Sequence, residues 1–513
     1  MTVQPTRGAI STSHYLATEA GAAALDAGGN AIDAALAAAA ALCVVYPNNV
    51  ALGGDLVALV RSPDGEIRFL NGTGPAPAGQ TLEALRAAHG DRLPLRGIDT
   101  VTVPGGVCGW NSLHEYGAAL GWDAHFEAAI RYAADGVPTA SSVAAAILED
   151  RESLEWDPGC RGVFLPGGEP LAEYDDLVQP ALAETLRRVA AGGSAEFYEG
   201  ETADRWIAGL AALGSKITKQ DAIDYSAHWD EPLSAPFAEH RVFTGPPNSS
   251  GFMLLRTLEA IEGLVAGAPI ADPLATGAGE LARAFAAANA VRAASLTDPR
   301  MGGLSGAELI EMATPEHPLP GQPKPTGDTV GISAVSEDGW AISLINSVYF
   351  GFGACVLEPE TGILFQNRGT SFSLDPAAPN AFAPRKRPKH TLMPVLVLHG
   401  GELAWVPSTM GGSAQPQIHT QLLLRALEGG NPAEATHAPR WMVCEPNDAG
   451  EVRVMAEADV PEAARVAIAE AGFPVDIVPP HSEDLGHSNL IRVDGTDYAA
   501  ASDPRSDGSA IVR

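Results

Sequence analysis

The sequence contains few cysteines and no closely spaced cysteine pair. Among 513 residues there are five, none of them within a C-x-x-C motif: Cys43, Cys108, Cys160, Cys355 and Cys444. An odd number of scattered cysteines in a chain of this size favours reduced thiols over a disulfide framework. We therefore expect a cytoplasmic protein.

Positive charge is also scarce. The chain has 32 Lys and Arg residues against 63 Asp and Glu residues, which gives a formal net charge of −31. Nucleic acids and anionic membranes are bound by clustered Lys and Arg, and the one basic cluster, Arg385-Lys386-Arg387, is short. We expect neither as a partner. The hydrophobic fraction of 46% predicts a folded body with a core of its own.

Long apolar runs are missing. The first residues lack the charged segment and apolar core of a signal peptide, so none is expected. The Ala-rich run Ala31–Val45 contains Asp33 and is too short to span a bilayer. The composition therefore predicts a soluble protein.

Several familiar catalytic motifs are absent. The sequence has no G-x-S-x-G, H-E-x-x-H or Walker A motif, which excludes the usual serine hydrolases, zincins and NTPases. Gly72-Thr73-Gly74 and Gly351-Phe352-Gly353 begin like a dinucleotide fingerprint but lack its third glycine, so both are predicted to be turns. No cofactor and no metal is expected.

What the sequence does contain is an abrupt change of pattern at Thr329. The preceding linker, residues 313–328, is too rich in proline for a helix or a central strand. From Thr329 onward, Val330, Ile332 and Ala334 alternate with small or polar residues and predict a buried strand. This is either a linker entering a sheet or, if the Asp328–Thr329 bond is cut, a chain end that presents a hydroxyl and an α-amine.

The two parts of the chain differ in predicted structure. The first is rich in predicted helices, among them Ala31–Val44, and contains the hairpin formed by Leu56–Val60 and Ile67–Asn71. The part after Thr329 is mainly strands. Sheets covered by outer helices predict an α/β protein, a layered αββα sandwich.

Two glycines precede the predicted helix near residue 415. Gly411 and Gly412 would expose consecutive backbone N–H groups at a helix entrance, which is the geometry of an oxyanion site. A glycine turn made only for packing explains the same residues equally well.

Taken together, these segments resemble the γ-glutamyltransferases of the N-terminal-nucleophile hydrolase superfamily. The matching stretches follow the family's order over nearly the whole chain: Gly8–Thr12, Gly28–Ala35, Leu52–Gly54, Val103–Gly105, Pro246–Gly251, Asp328-Thr329, Lys386–Pro388, Met410–Ser413, Ala438–Arg440 and Ala501–Ser506. The resemblance implies a four-layer αββα sandwich and a precursor that cleaves itself. The cut before Thr329 would give fragments 1–328 and 329–513 in one interleaved body.

The resemblance also implies catalytic roles. Thr329 would be the nucleophile, with its own freed α-amine as general base. Gly411 and Gly412 would hold the oxyanion, and Ser347 would support the nucleophile through a hydrogen bond.

Specificity is where the sequence departs from the family. The arginine that clamps the α-carboxylate of a γ-glutamyl substrate is replaced by Asn71, and an amide cannot replace a guanidinium fork. The other substituted substrate-binding positions are Tyr349, Thr370, His390 and Thr391. The segment Ala378–Arg385 is also too short for the lid of some members.

These departures resemble the branch that contains oxamate amidohydrolase. Arg368 and His390 are the polar groups expected in the acyl pocket, where they would pair with a small carboxylate; a structural ion pair for Arg368 and a loop role for His390 stay open. The favoured hypothesis is therefore an amidohydrolase acting on a small-molecule amide. The alternatives are a true γ-glutamyltransferase and an uncleaved binding protein, and a further homo-oligomer is left open.

Overall fold

A computed structural model describes residues 6–265, 272–316, 328–447 and 449–513. The strands within these ranges are β1 Gly8–Thr12, β2 Asp55–Arg61, β3 Ile67–Gly72, β4 Val137–Pro138, β5 Asp176–Leu177, β6 His228–Asp230, β7 Leu233–Phe237, β8 His240–Thr244, β9 Asp328–Ser336, β10 Ala341–Tyr349, β11 Leu357–Glu358, β12 Ile363–Leu364, β13 Val395–His399, β14 Glu402–Thr409, β15 Trp441–Val443, β16 Val454–Glu457, β17 Val475–Val478, β18 Ser488–Asp494, β19 Asp497–Ser502 and β20 Ser509–Val512.

Helices surround these strands. They are α1 Tyr15–Asp26, α2 Ala31–Val45, α3 Leu82–His89, α4 Gly106–Gly117, α5 Glu127–Asp135, α6 Ser141–Glu149, α7 Arg151–Trp156, α8 Pro158–Phe164, α9 Pro180–Gly192, α10 Ser194–Tyr198, α11 Glu201–Ala212, α12 Lys219–Ile223, α13 Gly251–Val265, α14 Ala278–Ser295, α15 Gly306–Glu311, α16 Gln415–Ala426, α17 Pro432–His437 and α18 Glu462–Glu470. No helix in the described ranges is both long enough and apolar enough to cross a membrane.

Two large sheets form the centre of the fold. One has seven strands in the order β20-β1-β9-β10-β2-β3-β6, and the other has six in the order β19-β18-β14-β13-β8-β7. Each sheet combines strands from before and after the Asp328–Thr329 bond. The strand predicted from Thr329 onward is β9, and it lies between β1 and β10 in the middle of its sheet.

The inner faces of the two sheets pack against each other. Val57, Ile345, Leu396 and Val406, which come from both sheets, share one buried cluster. The sheets approach closely at Gly331, where a Cβ atom would lie only 2.9 Å from the backbone nitrogen of Thr409. A side chain at residue 331 would therefore push β9 away from β14.

Helices cover both outer faces. The outward-facing Ile332 and Leu344 lie in one core with α1 and α2, and all fifteen residues of α2 are buried. Helices α13, α14 and α16 cover the second sheet in a separate core. The αββα architecture predicted from the sequence is therefore confirmed.

The small residues of α2 have a packing reason. A Cβ atom on Gly21 of α1 would lie 2.8 Å from the carbonyl oxygen of Ala34, so the two helices approach closely. Helix α2 begins where the sequence predicts, because the Asn30 side chain accepts from the N–H of Ile32 at 2.8 Å and the Asp33 carboxylate accepts the N–H of Asn30 at 2.8 Å.

The proline-rich linker is only partly within the described ranges. Residues 317–327 of the predicted linker 313–328 lie outside them. The division of the chain into parts 1–328 and 329–513 stays a prediction.

Candidate active site

The hydroxyl groups of Thr329 and Ser347 meet at the start of β9. Thr329 is buried, and its Oγ1 lies 2.9 Å from Ser347 Oγ on β10. The N–H of Tyr349 donates to Ser347 Oγ at 2.8 Å, and Asn49 Nδ2 donates to the carbonyl oxygen of Thr329 at 3.3 Å. The two hydroxyls are therefore buried and held in position by hydrogen bonds.

A β-bulge explains why these two side chains meet. Val330 pairs with Asn346 and Asp328 pairs with Tyr349, so one residue of β9 lies opposite two of β10. Bulges are a common way to redirect a side chain beside a functional site. Tyr349, which ends the bulge, has a positive φ of 84°.

Gly411 and Gly412 lie near the same end of the sheet. They follow Thr409 closely in the chain. Thr409 packs against Gly331, which is two residues after Thr329. Gly411 has φ 144° and Gly412 has φ 54°. The N–H groups of these two glycines donate to no residue in the described ranges. The loop thus presents two backbone donors just before α16.

Arg368 is a fully buried cation in this region. Its Nη2 donates to Thr391 Oγ1 at 3.0 Å, and its Cζ lies 3.3 Å from the centroid of the Tyr349 ring. Its Nε and Nη1 have no hydrogen-bond partner in the described part of the chain. Burial lowers the pKa of Arg368 to about 10, so the guanidinium is charged at neutral pH.

His390 forms a buried pair with Asp55. His390 Nδ1 accepts the N–H of Leu392 at 3.4 Å, which leaves the ring proton on Nε2, 3.2 Å from Asp55 Oδ2. Burial lowers the pKa of His390 well below its usual value and raises the pKa of Asp55 to about 7. His390 is therefore neutral and donates to Asp55.

Sequence reasoning missed Asp55. Asp55 is the first residue of β2 and pairs with Ser347 of β10. Its Oδ1 accepts the N–H of Gly74 at 3.0 Å. The available signal was a carboxylate at the entrance of the strongly apolar run Leu56–Val60.

The remaining predicted substrate-binding residues, Asn71 and Thr370, form hydrogen bonds with other parts of the chain. Asn71 Oδ1 accepts the Thr73 hydroxyl at 2.7 Å, and Asn71 Nδ2 donates to Asn248 Oδ1 at 3.1 Å, so this amide belongs to an internal network. The hydroxyl of Thr370 donates to the carbonyl of Pro94 at 2.9 Å. Direct contacts therefore join Tyr349, Arg368 and Thr391, whereas Asn71 and Thr370 bond to other residues.

Comparison with known proteins decides the family. The gamma-glutamyltranspeptidase family matches residues 17–513. The chain belongs to this family. It is 33% identical to the glutathione hydrolase-like YwrD proenzyme of Bacillus subtilis, over 99% of this chain and 98% of that protein. It is 35% identical to the oxamate amidohydrolase proenzyme of Klebsiella pneumoniae, over 98% of each chain.

A solved structure supports the same assignment. The cephalosporin acylase from Bacillus halodurans superposes with a TM-score of 0.89 and 32% identity, over 99% of this chain and 96% of that one. The fold predicted from the resemblance is confirmed. As a member of this family, the chain is an N-terminal-nucleophile amidohydrolase. The individual site residues remain predictions.

Proposed function

We propose that the protein cleaves itself between Asp328 and Thr329 and then hydrolyses amides of a small acyl group that carries a carboxylate, as oxamate does. The nucleophile is Thr329. Thr329 lies at the start of a central strand with its hydroxyl already hydrogen-bonded to Ser347, which supports this assignment.

The mechanism uses groups of this chain alone. Cleavage frees the α-amine of Thr329, whose ordinary pKa of about 7.7–8.0 suits a base at neutral pH. The amine takes the Oγ1 proton as Oγ1 attacks the amide carbon, while the N–H groups of Gly411 and Gly412 hold the oxyanion. The C–N bond then breaks, the leaving amine takes the proton, and water hydrolyses the ester to release the acid.

The observation that carries the acyl assignment is the incomplete hydrogen bonding of Arg368. A buried guanidinium with two unpartnered nitrogens is costly, and a substrate carboxylate would supply the missing charge and acceptors. Thr391 and Tyr349 hold the guanidinium in place, so it is preorganised for this anion.

The same pocket disfavours a γ-glutamyl group. The α-ammonium of such a substrate needs a carboxylate partner, and the nearby Asp55 already accepts from His390 and from Gly74. Its raised pKa of about 7 further weakens it as an anion at neutral pH. An acyl group with a carboxylate and no ammonium satisfies Arg368 without this conflict.

The test compares turnover of oxamate with turnover of γ-glutamyl-p-nitroanilide by the purified protein. We expect release of ammonia from oxamate and at least tenfold weaker activity on the γ-glutamyl substrate. The reverse preference would identify a γ-glutamyltransferase. A single intact band on a denaturing gel, with no activity on either substrate, would indicate a binding protein.

A further inference from the structure

One cavity is lined by close chain neighbours of the proposed acyl-pocket residues. Its volume is about 570 Å³, and its lining includes Phe350, Thr370 and Lys389. These residues are close in sequence to the pocket residues Tyr349, Arg368 and His390, respectively. The cavity is therefore a candidate site for the part of a substrate beyond its amide bond.

The walls of this cavity are partly apolar. Leu93, Phe372 and Leu374 contribute buried side chains to the walls. Phe350, which also lines the cavity, contacts Tyr349 with ring centroids 4.2 Å apart. Cavities of this kind bind an apolar group and use a few polar groups to orient it. An apolar leaving group fits such walls.

Lys389 supplies a cation to the cavity. Its backbone is fixed, because its N–H donates to Asn380 Oδ1 at 3.3 Å and its carbonyl accepts from Ser371 Oγ at 3.1 Å. Its ammonium group forms no hydrogen bond or ion pair with any residue of the described ranges. The ammonium group of Lys389 therefore has no direct partner among the described residues, although Glu445 is close enough to attract it.

The other charges around Lys389 are already matched or lie at the rim. Glu445 pairs with Arg292 at 2.7 Å, and His89 pairs with Asp99 at 2.8 Å. Asp91 and Arg92 are exposed at the edge. The cavity is thus able to accept an anion at Lys389, even though the protein as a whole is strongly acidic.

We propose that this cavity binds the leaving amine and that Lys389 forms an ion pair with a carboxylate on it. The substrates are then amides that join a small carboxylate-bearing acyl group to an apolar amino acid. This inference rests on the proposed function: Thr329 takes the acyl group, and the amino acid leaves as the free amine with the transferred proton.

The test uses two substrates that differ only in that carboxylate. N-oxalyl-L-leucine carries it, and N-(3-methylbutyl)oxamate lacks it. We expect the wild-type protein to favour the leucine amide about tenfold to a hundredfold in kcat/KM, the effect of one charge-assisted hydrogen bond. Lys389→Met should bring this ratio close to one, whereas Lys389→Arg should keep most of it.

A control variant comes from the same loop. Arg385 is exposed and lies 3.6 Å from Asp224, so Arg385→Met should leave the ratio unchanged. An equal kcat/KM for both substrates in the wild-type protein would overturn the proposal, as would an unchanged ratio in Lys389→Met.

The pH dependence gives a second readout that needs no variant. Burial lowers the pKa of Lys389 to about 8; Arg292 and Arg368 act in the same direction and Glu445 opposes them. The wild-type ratio should therefore fall as pH rises through about 8, and a constant ratio would contradict the proposal. If the protein hydrolyses oxamate but does not prefer the leucine amide, only the leaving-group site is wrong. If it hydrolyses neither oxamate nor either amide, the acyl assignment is wrong as well.

Discussion

At the scale of single residues, the proposed mechanism assigns both cleavage and turnover to one hydroxyl, that of Thr329. Thr329 Oγ1 already has a hydrogen-bond partner in Ser347, and its backbone is held by Asn49. In the proposed mechanism, removing the hydroxyl removes the attacking atom of both reactions, whereas a serine keeps it and loses only a methyl group.

We therefore predict that Thr329→Ala stays a single chain on a denaturing gel and hydrolyses no oxamate. Thr329→Ser should cleave and turn over at a reduced rate, because the freer serine side chain is less well oriented. Splitting of the Thr329→Ala protein at this bond would show that another group performs the cleavage.

Arg368 tests the acyl pocket separately from the nucleophile. Arg368→Met keeps much of the length and packing of the side chain but removes the charge and the two unpartnered donors. We predict a fall of at least about tenfold in kcat/KM for oxamate, since hydrogen bonds to charged groups contribute about 1.5–3 kcal/mol.

Thr391→Val is the matched variant for this prediction. It removes only the acceptor of Arg368 Nη2, so its effect on kcat/KM should be smaller than that of Arg368→Met. Self-cleavage of both variants on a denaturing gel checks that each one folds. If the Arg368→Met protein hydrolyses oxamate at the wild-type rate, Arg368 does not bind the carboxylate of the substrate.

At the scale of elements, the loop before α16 depends on backbone conformations that favour glycine. Gly411 has φ 144°, and a Cβ atom there would lie 2.3 Å from Ile418 Cδ1. Gly411→Ala should move the N–H groups of the loop and lower kcat by up to about 10²–10³-fold, as the loss of an oxyanion donor does.

Gly429→Ala is the control for backbone strain at a glycine that has no proposed catalytic role. Gly429 also has a positive φ, 88°, but no atom lies within 4 Å of the added Cβ. The Gly429→Ala protein should be slightly less stable than the wild-type protein and have the same kcat. Equal kcat values for the two variants, measured on oxamate, would argue against the oxyanion role of Gly411.

The sequence predicted elements better than contacts between them. Helix α2, the hairpin of β2 and β3 and strand β9 follow from capping, periodicity and turn residues, which are local signals. The pair Asp55–His390 joins residues 335 positions apart, and it depends on sheet order and register. Sheet order and register cannot be read from one sequence, so Asp55 was missed as the partner of His390. The place of His390 in the acyl pocket stays a prediction.

At the scale of the whole molecule, cleavage would divide the chain without separating its parts. Each large sheet contains strands from both sides of the Asp328–Thr329 bond, and β9 pairs with β1 along five residues. Separating the fragments would expose both cores.

We therefore predict that the cleaved protein elutes as one body from a sizing column and gives two bands on a denaturing gel. The second large sheet also holds strands from both fragments, so mild urea should not separate them before activity is lost. Elution of the fragments as two species under native conditions would contradict the interleaved arrangement.

A buried network of ion pairs connects several segments of the C-terminal part of the chain. Arg440 Nη2 lies 2.8 Å from Asp503 Oδ2, and Arg505 lies 2.8 Å from Asp503 Oδ1 and 2.7 Å from Glu457 Oε1. Arg440 Nη1 also donates to the carbonyl of Gly486 at 2.7 Å, beside Gly411. Two segments of the family pattern, Ala438–Arg440 and Ala501–Ser506, thus meet behind the glycine loop.

This network predicts a particular loss of stability in acid. Burial raises the pKa of Asp503, but Arg440 and Arg505 outweigh burial and hold the pKa at about 2, below the ordinary value of 3.8. The folded state therefore binds the Asp503 proton less tightly than the unfolded chain does. The stabilisation is complete above about pH 4 and is lost as pH falls towards 2.

Arg440→Met should reduce the free energy of unfolding by about 3–5 kcal/mol at neutral pH, because it leaves a buried carboxylate with one cation fewer. Its stability should also begin to fall at a higher pH than that of the wild-type protein, since the pKa of Asp503 rises when Arg440 is removed. Urea unfolding at a series of pH values measures both effects. Arg453→Met, which breaks the exposed pair with Asp476, should change the unfolding midpoint little, and an equal effect of the two variants would mean that the buried network contributes no more than a surface pair.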